Sequence, residues 1–383
     1  MSALPERVAA VVIGAGPGGL AAAAELKRAG VEAVVIDKAD RVGASWATHY
    51  DRLHLHTSRA GSHLPGYPIP RRFGRWVARD DVLRYLDEYA RHHALDLRLG
   101  VTATGVERSE DGWVVRWSRG DESGAVAADT VVVATGYNHT AKLPDWPGLD
   151  RYRGTVVHSS AYRNPADLGA RDVLVVGPGN SGAEIAADLA DAGVSVKLSM
   201  RTPPNIVLRA VAGIPSQFLI MSMAPLPVPA QDALAGALQR VAVGRLDRYG
   251  IPKAPRGIAT QQLRDDVTPT LDVGLLRALK RGRVTVVSAV ERFTEDGVVL
   301  ADGTELHPDA VVAATGYRRG LDGLVGDLGV IGPKGRPLVN GDAQLAAHPG
   351  LFFLGYSNPL TGNLRQLGID ARKIAAKVAR KGR

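Results

Sequence analysis

Two parts of the chain show the same order of an apolar run, a glycine-rich turn and an apolar pattern with helical spacing. In the first part, "VAAVVI" at 8–13 predicts a buried strand, and "GAGPGG" leads into a helix predicted over 18–29. The second part starts with "VLVVGPGNSG" from residue 173 and predicts a helix over 181–192. A strand pattern follows each helix, "EAVVID" at 32–37 and "SVKLSM" at 195–200. Both parts are therefore predicted to form βαβ units.

The pattern changes outside these two units. Residues 40–78 show no regular periodicity, and residues 79–95 have helical spacing. Residues 203–270 form a proline-punctuated, partly helical insertion, and a last helix is predicted over 363–380. Two of the remaining strand patterns end in the same "ATGY" box, which we expect to close two sheet layers. The remaining predicted strands are 101–107, 113–118, 126–134, 283–287, 289–293, 297–306, 309–317 and 350–356.

This arrangement predicts an α/β protein with two dinucleotide-binding, Rossmann-like three-layer domains, the second inserted into the first. The chain of 383 residues also exceeds the usual size of a single domain. We predict a first domain formed by 1–163 and 296–383, interrupted by a second domain at 164–295. The second domain is expected to carry the helical insertion at about 203–270.

Composition excludes several kinds of chemistry. The chain has no cysteine, which excludes disulfides, thiolate metal sites, iron–sulfur clusters and a dithiol redox relay. His54 and His56 are two residues apart, which would place both side chains on one face of a strand. No further ligand cluster accompanies them, so no metal site is predicted. The apolar stretch 206–229 is broken by Arg209 and Pro215, and the first residues lack a signal-peptide pattern. We therefore expect a cytoplasmic protein with no integral membrane association.

Charge narrows the expected ligands. Lysine and arginine outnumber aspartate and glutamate by 47 to 39, and the net charge of +8 favours anionic ligands. The basic residues are dispersed, with small clusters only at 71–79 and 372–383. We therefore predict small-molecule partners and no nucleic acid.

The two glycine-rich turns predict two phosphate-binding sites, which we call the first and second cradles. The first glycine of such a turn allows a tight bend, the second lets the backbone approach a pyrophosphate, and the third lets the helix pack on the strand. The helix then begins with unpaired N–H groups that favour phosphate. The alternative for either turn is a packing turn without a ligand. The glycines are Gly14, Gly16 and Gly19 in the first cradle, and Gly177, Gly179 and Gly182 in the second.

The two cradles differ at the end of the strand that follows. Asp37 lies 23 residues after Gly14 (37 − 14 = 23), where a carboxylate accepts the ribose hydroxyls of an adenosine and repels a 2′-phosphate. The same offset from Gly177 reaches Met200, and Arg201 follows. A guanidinium pairs with a 2′-phosphate, although an ordinary surface arginine is the alternative. We predict an unphosphorylated adenosine dinucleotide in the first cradle and NADPH in the second. Electrons then pass between the two, and FAD is the usual acceptor.

Several segments resemble the class B flavin-dependent monooxygenases. "YRGTVVHSSAYR" at 152–163 is similar to their FxGxxxHxxx-aromatic fingerprint, with Tyr152 in place of the first aromatic residue, and "GASWATHYDRLHLHTS" at 43–58 is similar to their tryptophan-containing segment. "DRYGIPKAP" at 247–255, "TPTLDVG" at 268–274 and the two ATGY boxes also match. The resemblance extends over nearly the whole chain and is strongest to the YUCCA-like branch.

The resemblance implies an enzyme that uses NADPH, FAD and O₂. Such enzymes form a C4a-(hydro)peroxyflavin and insert one oxygen atom into a small organic substrate. The reaction is an oxidative decarboxylation for an aryl 2-oxo acid, and an N- or S-oxygenation for a soft heteroatom. A homodimer is an open alternative to a monomer.

The resemblance also implies site residues. His56 and Trp46 are the candidate catalytic residues. The candidate FAD-binding residues are Gly14, Gly16, Pro17, Gly18, Gly19, Asp37, Lys38, Trp46, Leu55, His56, Thr57, Thr102, Thr135, Gly136, Thr361 and Gly362. The candidate NADPH-binding residues are Gly177, Gly179, Asn180, Ser181, Gly182, Arg201 and Thr202, and Thr315 and Gly316 of the second ATGY box complete the cofactor-binding set.

Some roles stay open at this stage. His56 stands where many flavin monooxygenases have an asparagine, and it either contacts the nicotinamide ribose or the peroxide, or makes a structural hydrogen bond. His158 of the fingerprint either braces the fold or takes part in domain motion. The apolar stretch at 214–227 is either a substrate wall or ordinary helix packing.

Two other functions compete with oxygenation. A two-dinucleotide flavin reductase that passes electrons to a protein or small-molecule acceptor explains both cradles, but it does not explain the fingerprint at 152–163. A non-catalytic nucleotide-binding protein is the third interpretation.

Overall fold

The computed structural model describes residues 4–381, which divide into two compact units. The first unit comprises the chain up to Ala47, Ser58–Thr140 and the chain from Tyr317 onward. The second comprises Thr48–Thr57 and Ala141–Gly316. Neither unit is a continuous stretch of sequence.

The first unit is built on a seven-stranded sheet with the order β3-β2-β1-β6-β5-β4, in which β23 also pairs with β6. Strands β1, β2, β3 and β23 are parallel, and β4, β5 and the first half of β6 form an antiparallel extension. The strands are β1 (Arg7–Ile13), β2 (Ala33–Asp37), β3 (Asp96–Leu99), β4 (Thr102–Ser109), β5 (Gly112–Arg119), β6 (Glu122–Val133) and β23 (Leu351–Phe353). The short strands β7 (Thr140–Ala141), β20 (Tyr317–Arg318), β21 (Ile331–Gly332) and β22 (Arg336–Pro337) lie outside this sheet.

The helices of this unit begin and end where local chemistry dictates. Helix α1 starts at Pro17, whose missing N–H costs nothing in a first turn, and it ends in two basic residues that suit the negative end of the helix dipole. Helix α3 has acidic residues in its first turn and basic residues in its last. The helices are α1 (Pro17–Arg28), α2 (Ala44–Ala47), α3 (Arg79–His92), α10 (Asp322–Val325) and α11 (Asn363–Lys381).

The second unit is built on a five-stranded parallel sheet with the order β15-β10-β9-β19-β8. The strands of this sheet are β8 (Thr155–His158), β9 (Asp172–Val176), β10 (Ser195–Ser199), β15 (Val284–Val287) and β19 (Ala310–Ala313). An antiparallel sheet is formed by β16 (Val290–Phe293), β17 (Val298–Leu300) and β18 (Glu305–Leu306). The insertion adds the short strands β11 (Ile206–Leu208), β12 (Ala210–Val211), β13 (Ile214–Pro215) and β14 (Thr270–Asp272). The helices are α4 (Pro165–Leu168), α5 (Asn180–Asp191), α6 (Ser216–Met223), α7 (Val228–Ala242), α8 (Ile258–Asp265) and α9 (Leu275–Lys280).

The α/β class and the two Rossmann-like units are confirmed, but the unit boundaries differ from those predicted from sequence. The predicted first domain included β8 and the segment 296–316, and both belong to the second unit. The reason is strand pairing, because β19 lies between β9 and β8 in the parallel sheet of that unit. Residues 48–57 also belong to the second unit. Among residues 4–381, no helix combines the length and apolar character that crossing a membrane requires.

Candidate functional site

The first cradle has the geometry that a pyrophosphate site needs. Gly14 has a φ of +111°, and a Cβ there would lie 2.5 Å from the carbonyl oxygen of Ala134. A Cβ at Gly19 would lie 1.8 Å from the carbonyl oxygen of Gly14, so α1 packs this closely on β1 only with glycine. In contrast, a Cβ at Gly16 would meet no protein atom within 4 Å. The start of α1, with its unpaired N–H groups, is therefore open on the side where a phosphate would bind.

Asp37 is held at the end of β2 by two backbone donors. Its Oδ2 accepts a hydrogen bond from the N–H of Ala15 at 2.6 Å, and its Oδ1 accepts one from the N–H of Ala39 at 2.8 Å. The carboxylate is thus fixed beside the turn of the first cradle. Each oxygen keeps a further lone pair for a ribose hydroxyl.

A cavity of about 350 Å³ in the first unit brings several predicted residues together. Its lining includes Gly14, Asp37, Lys38, Thr102 and Thr135. His139, which was not predicted, also lines it, and burial together with the nearby Lys38 lowers the pKa of this histidine. The cavity therefore combines a carboxylate with an imidazole that favours its neutral form, which suits an uncharged adenosine.

The other predicted residues of the first unit have different surroundings. Thr135 Oγ1 lies 2.8 Å from the hydroxyl of Tyr356, and burial raises the pKa of that tyrosine to about 12. A Cβ at Gly18 would lie 3.2 Å from the side chain of Leu367, so this glycine lets α1 pack against α11. Gly136 has a φ of +97° at the turn after β6, whereas Gly362 has a φ of +106° just before α11. Pro17 begins α1, Trp46 lies half-buried in α2, and Thr361 precedes Gly362.

The second cradle repeats the geometry of the first at its three glycines. Gly177 has a φ of +109°, and a Cβ there would lie 2.5 Å from the carbonyl oxygen of Ala314. A Cβ at Gly182 would lie 1.9 Å from the carbonyl oxygen of Gly177, and one at Gly179 would meet no protein atom within 4 Å. Ala134 and Ala314 are the first residues of the two ATGY boxes. Each box therefore supports the first glycine of its own cradle, a role that sequence reasoning missed.

Residues around the second cradle have their own contacts. Asn180 Oδ1 accepts a hydrogen bond from the N–H of Leu271 at 2.7 Å, and the hydroxyl of Thr270 donates to the carbonyl of Pro178 at 2.7 Å. The second cradle is thereby joined to β14 at the base of the insertion. Ser181 is half-buried in the first turn of α5.

Arg201 and Thr202 follow β10 at the surface. Both side chains are exposed. Within residues 4–381, the Arg201 guanidinium has no hydrogen-bond or ion-pair partner. The cation is therefore available to an anionic ligand.

The segment Thr48–Thr57 is fastened to the second unit. His56 Nε2 lies 2.5 Å from Oε1 of Glu184 on α5, and the hydroxyl of Tyr50 donates to Oε2 of the same carboxylate at 3.0 Å. Arg209 donates to the carbonyl of Leu55 at 2.9 Å. Leu55, His56 and Thr57 thus fall in the second unit, whereas Trp46 falls in the first.

The two histidines of this segment have different partners. His54 Nδ1 lies 2.7 Å from the carbonyl oxygen of Arg52, while His56 pairs with Glu184. Across residues 4–381, no group of three or more His, Asp or Glu residues is arranged to hold a metal ion.

His158 braces the second unit internally. Its Nδ1 accepts a hydrogen bond from the N–H of Ser160 at 3.1 Å, which leaves Nε2–H to donate to the carbonyl of Gly316 at 3.0 Å. Burial lowers the pKa of His158, so the neutral ring is favoured. Thr315, the residue before Gly316, also makes a contact within the second unit. Its hydroxyl donates to the carbonyl of Lys142 at 2.5 Å. Both nitrogens of His158 are thus occupied inside the fold.

The insertion contains a cavity of about 570 Å³. Part of α7, the stretch 244–247 and the stretch 251–258 line it. Arg245 and Arg256 in its wall are paired with Asp247 and Asp265. The apolar stretch 214–227, for which a substrate wall and ordinary helix packing were the alternatives, lies outside this lining, and Ile214 and Leu226 within that stretch are exposed.

Comparisons with known proteins agree with this geometry. Residues 11–207 match the protein family described as pyridine nucleotide-disulphide oxidoreductase. The chain is 33% identical over 324 residues to the indole-3-pyruvate monooxygenase YUCCA1 of Oryza sativa subsp. japonica, covering 84% of this chain and 79% of that protein. It is 31% identical over 382 residues to the probable indole-3-pyruvate monooxygenase YUCCA7 of Arabidopsis thaliana, covering 96% and 87%.

A solved structure extends the likeness to the whole fold. A doubly substituted flavin monooxygenase from Stenotrophomonas maltophilia aligns with a TM-score of 0.77 and 26% identity, over 99% of this chain and 100% of that one. The chain has no cysteine, so it has no thiol of its own for a dithiol–disulphide reaction. The family resemblance inferred from sequence is confirmed: the chain belongs to the YUCCA-like flavin-dependent monooxygenases of the pyridine nucleotide-disulphide oxidoreductase family.

Proposed function

We propose that this monooxygenase holds FAD in the first cradle and NADPH in the second, and that its organic substrate is an aryl 2-oxo acid. The observation that carries the cofactor assignment is the contrast between two cradles of nearly equal geometry. Asp37 follows the first, and Arg201 follows the second. The substrate class rests on the relatives, which are indole-3-pyruvate monooxygenases.

The proposed reaction is balanced by the cofactors and O₂. The 2-oxo acid loses its carboxyl group as CO₂, and its former keto carbon becomes the carboxyl carbon of the product. One oxygen atom enters that product and the other leaves as water. NADPH supplies two electrons and, together with a proton from solvent, is converted to NADP⁺. Bound reduced flavin supplies the chemistry that activates O₂.

In this proposal the residues of the chain bind the two cofactors, orient them and keep water away from the reacting groups. The open start of α1 and the carboxylate of Asp37 suit the pyrophosphate and ribose of FAD, and the 350 Å³ cavity suits its adenosine. The start of α5 and the exposed Arg201 suit the pyrophosphate and the 2′-phosphate of NADPH. We assign Trp46 to shielding the reacting groups from water and His56 to contacting a bound cofactor.

The reductase alternative is not favoured. The two relatives named above and the Stenotrophomonas maltophilia protein are monooxygenases, and residues 155–158 of the fingerprint form a strand of the parallel sheet in the second unit. A cytoplasmic location belongs to the proposal, because the enzyme would draw on the intracellular NADPH pool.

One experiment tests the reaction class and the substrate together. The purified FAD-loaded enzyme would be supplied with NADPH, ¹⁸O₂ and phenylpyruvate or indole-3-pyruvate. We expect one ¹⁸O atom in the arylacetic acid and one CO₂ released per NADPH consumed. NADPH oxidation that yields only H₂O₂ with every aryl 2-oxo acid would contradict the substrate assignment. Reduction of external acceptors without oxygenation of any substrate would support the reductase instead.

A further inference from the structure

Helix α5 presents a row of three carboxylates to the segment Thr48–Thr57. Glu184, Asp188 and Asp191 are spaced by four and three residues, so they lie on one face of the helix. Arg52 lies 2.8 Å from Asp191 and 3.6 Å from Asp188. The hydroxyl of Tyr162 also donates to Asp188 at 2.8 Å. Only Glu184 in this row pairs with a candidate catalytic residue.

Glu184 is the most deeply buried of the three, with 2% of its side chain exposed. Both of its oxygens are engaged, Oε1 with His56 and Oε2 with Tyr50. Because Tyr50 is itself buried, the carboxylate has two fixed anchors and cannot rotate away from either. A buried carboxylate with two donors is a rigid reference point for the imidazole.

The cation of Arg209 lies in the same environment. Its guanidinium donates to the carbonyl of Leu55, and burial lowers its pKa to about 10 while Glu184 opposes that shift. Arg209 therefore stays charged at neutral pH. The carboxylate of Glu184 thus has this cation for a neighbour as well as Tyr50 and His56.

The contact with Glu184 determines which nitrogen of His56 is available. A carboxylate oxygen and an imidazole nitrogen at 2.5 Å require a proton between them, and because a carboxylate can only accept, we assign that hydrogen to Nε2. Nδ1 has no hydrogen-bond partner among residues 4–381, and 26% of the side chain is exposed. A neutral His56 held in this way leaves the lone pair of Nδ1 without a protein donor among the described residues.

We propose that Glu184 is a positioning residue that fixes the Nε2–H tautomer of His56, so that Nδ1 accepts a hydrogen bond from a ribose hydroxyl of the bound nicotinamide nucleotide. This inference rests on the proposed function in one respect, the assignment of NADPH to the second cradle. His56 belongs to the same unit as that cradle. Glu184 is the fifth residue of the helix that opens at the second cradle, about 6 Å along its axis. The nicotinamide nucleotide is therefore the assigned partner of His56, in place of the flavin.

The tautomer is tested on the FAD-loaded enzyme without turnover. ¹⁵N spectra of the [¹⁵N]histidine-labelled protein at about pH 9, well above the ordinary imidazole pKa, report which ring nitrogen carries a hydrogen. The resonances of His56 are identified by their absence in His56→Gln. We expect Nε2 protonated and Nδ1 bare, and a mixture of tautomers in Glu184→Gln. A proton on Nδ1 in the unsubstituted enzyme would overturn the inference.

Binding tests the second half of the inference. Titration calorimetry of NADP⁺ into the oxidised enzyme should show about tenfold weaker binding for Glu184→Gln and for His56→Gln. The Tyr50→Phe variant keeps the ring and removes one anchor of Glu184, so it should weaken binding by about threefold. The matched control is Asp188→Asn, one helical turn further on, which should leave the ¹⁵N signals of His56 and NADP⁺ binding unchanged.

The outcomes separate this inference from the proposed function. If Glu184→Gln scrambles the tautomer but binds NADP⁺ as tightly as the unsubstituted enzyme, the role toward the nucleotide is refuted while the NADPH-dependent reaction stands. If Asp188→Asn weakens binding as much as Glu184→Gln does, the carboxylates act only by fastening the segment. If the unsubstituted enzyme oxidises no NADPH, the proposed function itself fails.

Discussion

Asp37 and Arg201 stand at the ends of equivalent strands and present opposite charges. The oxygens of Asp37 are held by two backbone N–H groups, so the carboxylate cannot move aside for a phosphate. Arg201 is exposed, and Met200 stands at the position equivalent to Asp37. In the proposed function, one side chain in each unit would therefore set the preference between a bare and a phosphorylated ribose.

Replacing Arg201 with alanine should raise the KM for NADPH about tenfold or more. The reason is the loss of charge-assisted hydrogen bonds, each worth about 1.5–3 kcal/mol. The KM for NADH should change by less than about twofold, since NADH lacks the 2′-phosphate. Steady-state kinetics with both nucleotides checks this, with Arg151→Ala as an exposed control in the same unit. Equal increases for both nucleotides would refute the assignment.

His158 should make stability depend on pH. Burial lowers its pKa, so the unfolded chain binds the proton more readily than the folded chain does. The stabilisation is therefore complete above about pH 6.5, the ordinary histidine pKa, and is lost progressively as the pH falls below that value. The opposite dependence would apply only to a histidine with a raised pKa.

Thermal unfolding at about pH 7.5 and pH 5.5 tests this, with His158→Gln as the comparison. The fall in Tm on acidification should be smaller in the variant than in the unsubstituted protein. Burial also lowers the pKa of His93 and His139, so a residual fall should remain in the variant. An identical fall in both proteins would show that His158 does not contribute to it.

At the scale of the element, each cradle depends on close packing between its glycine-rich turn and the helix that follows it. The third glycine of each cradle lies against the carbonyl of the first, and a Cβ would overlap that oxygen. The second glycine faces open space instead. The third glycine is therefore needed for helix packing, whereas the second glycine leaves the turn open to a ligand.

Gly182→Ala should destabilise the second unit by about 1–3 kcal/mol, because α5 would have to move away from β9. The variant should keep its FAD and lose NADPH binding, whereas Gly19→Ala should lose FAD. Gly179→Ala is the matched control, since its Cβ meets no protein atom. It should keep the Tm and still bind NADPH less tightly. Flavin absorbance, Tm and nucleotide titration measure the three effects, and loss of FAD from Gly182→Ala would contradict the assignment of the cradles.

The elements that local periodicity controls were predictable from sequence. Helices predicted over 18–29 and 181–192 are observed at Pro17–Arg28 and Asn180–Asp191, because apolar spacing and glycine turns act within a few residues. The sheet to which a buried strand belongs was not predictable. The strand β19 is apolar on both faces, so its sequence is compatible with the parallel strands of either unit. Its pairing with β9 and β8 shows that it belongs to the second unit.

The same limit applies to the candidate site. The glycines and Asp37 were found because their roles depend on short offsets along the chain. Glu184 was missed, although a carboxylate inside an otherwise buried, alanine-rich helix indicates a partner. The irregular segment around His56 gave no sign of which unit would hold it, because its position depends on side chains more than 120 residues away.

At the scale of the whole molecule, the net charge of +8 acts on every anionic ligand. Long-range attraction between exposed charges is screened as salt rises. The KM for NADPH should therefore increase severalfold between about 0.02 M and about 0.2 M salt, as the Debye length shrinks from about 20 Å to below 10 Å. The dependence should be weaker in Arg201→Ala and for NADH. A KM for NADPH that does not change with salt would indicate that nucleotide binding is independent of the charge of the protein.

The chain passes from one unit to the other after Ala47, Thr57, Thr140 and Gly316. A gene fragment that encodes only 141–316 would therefore lack the ten residues from Thr48 to Thr57. Glu184 would then be left without Tyr50 and His56, and a buried carboxylate without donors is costly. An excised nucleotide domain would fold well only with this decapeptide grafted onto it. In evolution, the same dependence would hinder the exchange of one nucleotide domain for another by a single recombination event.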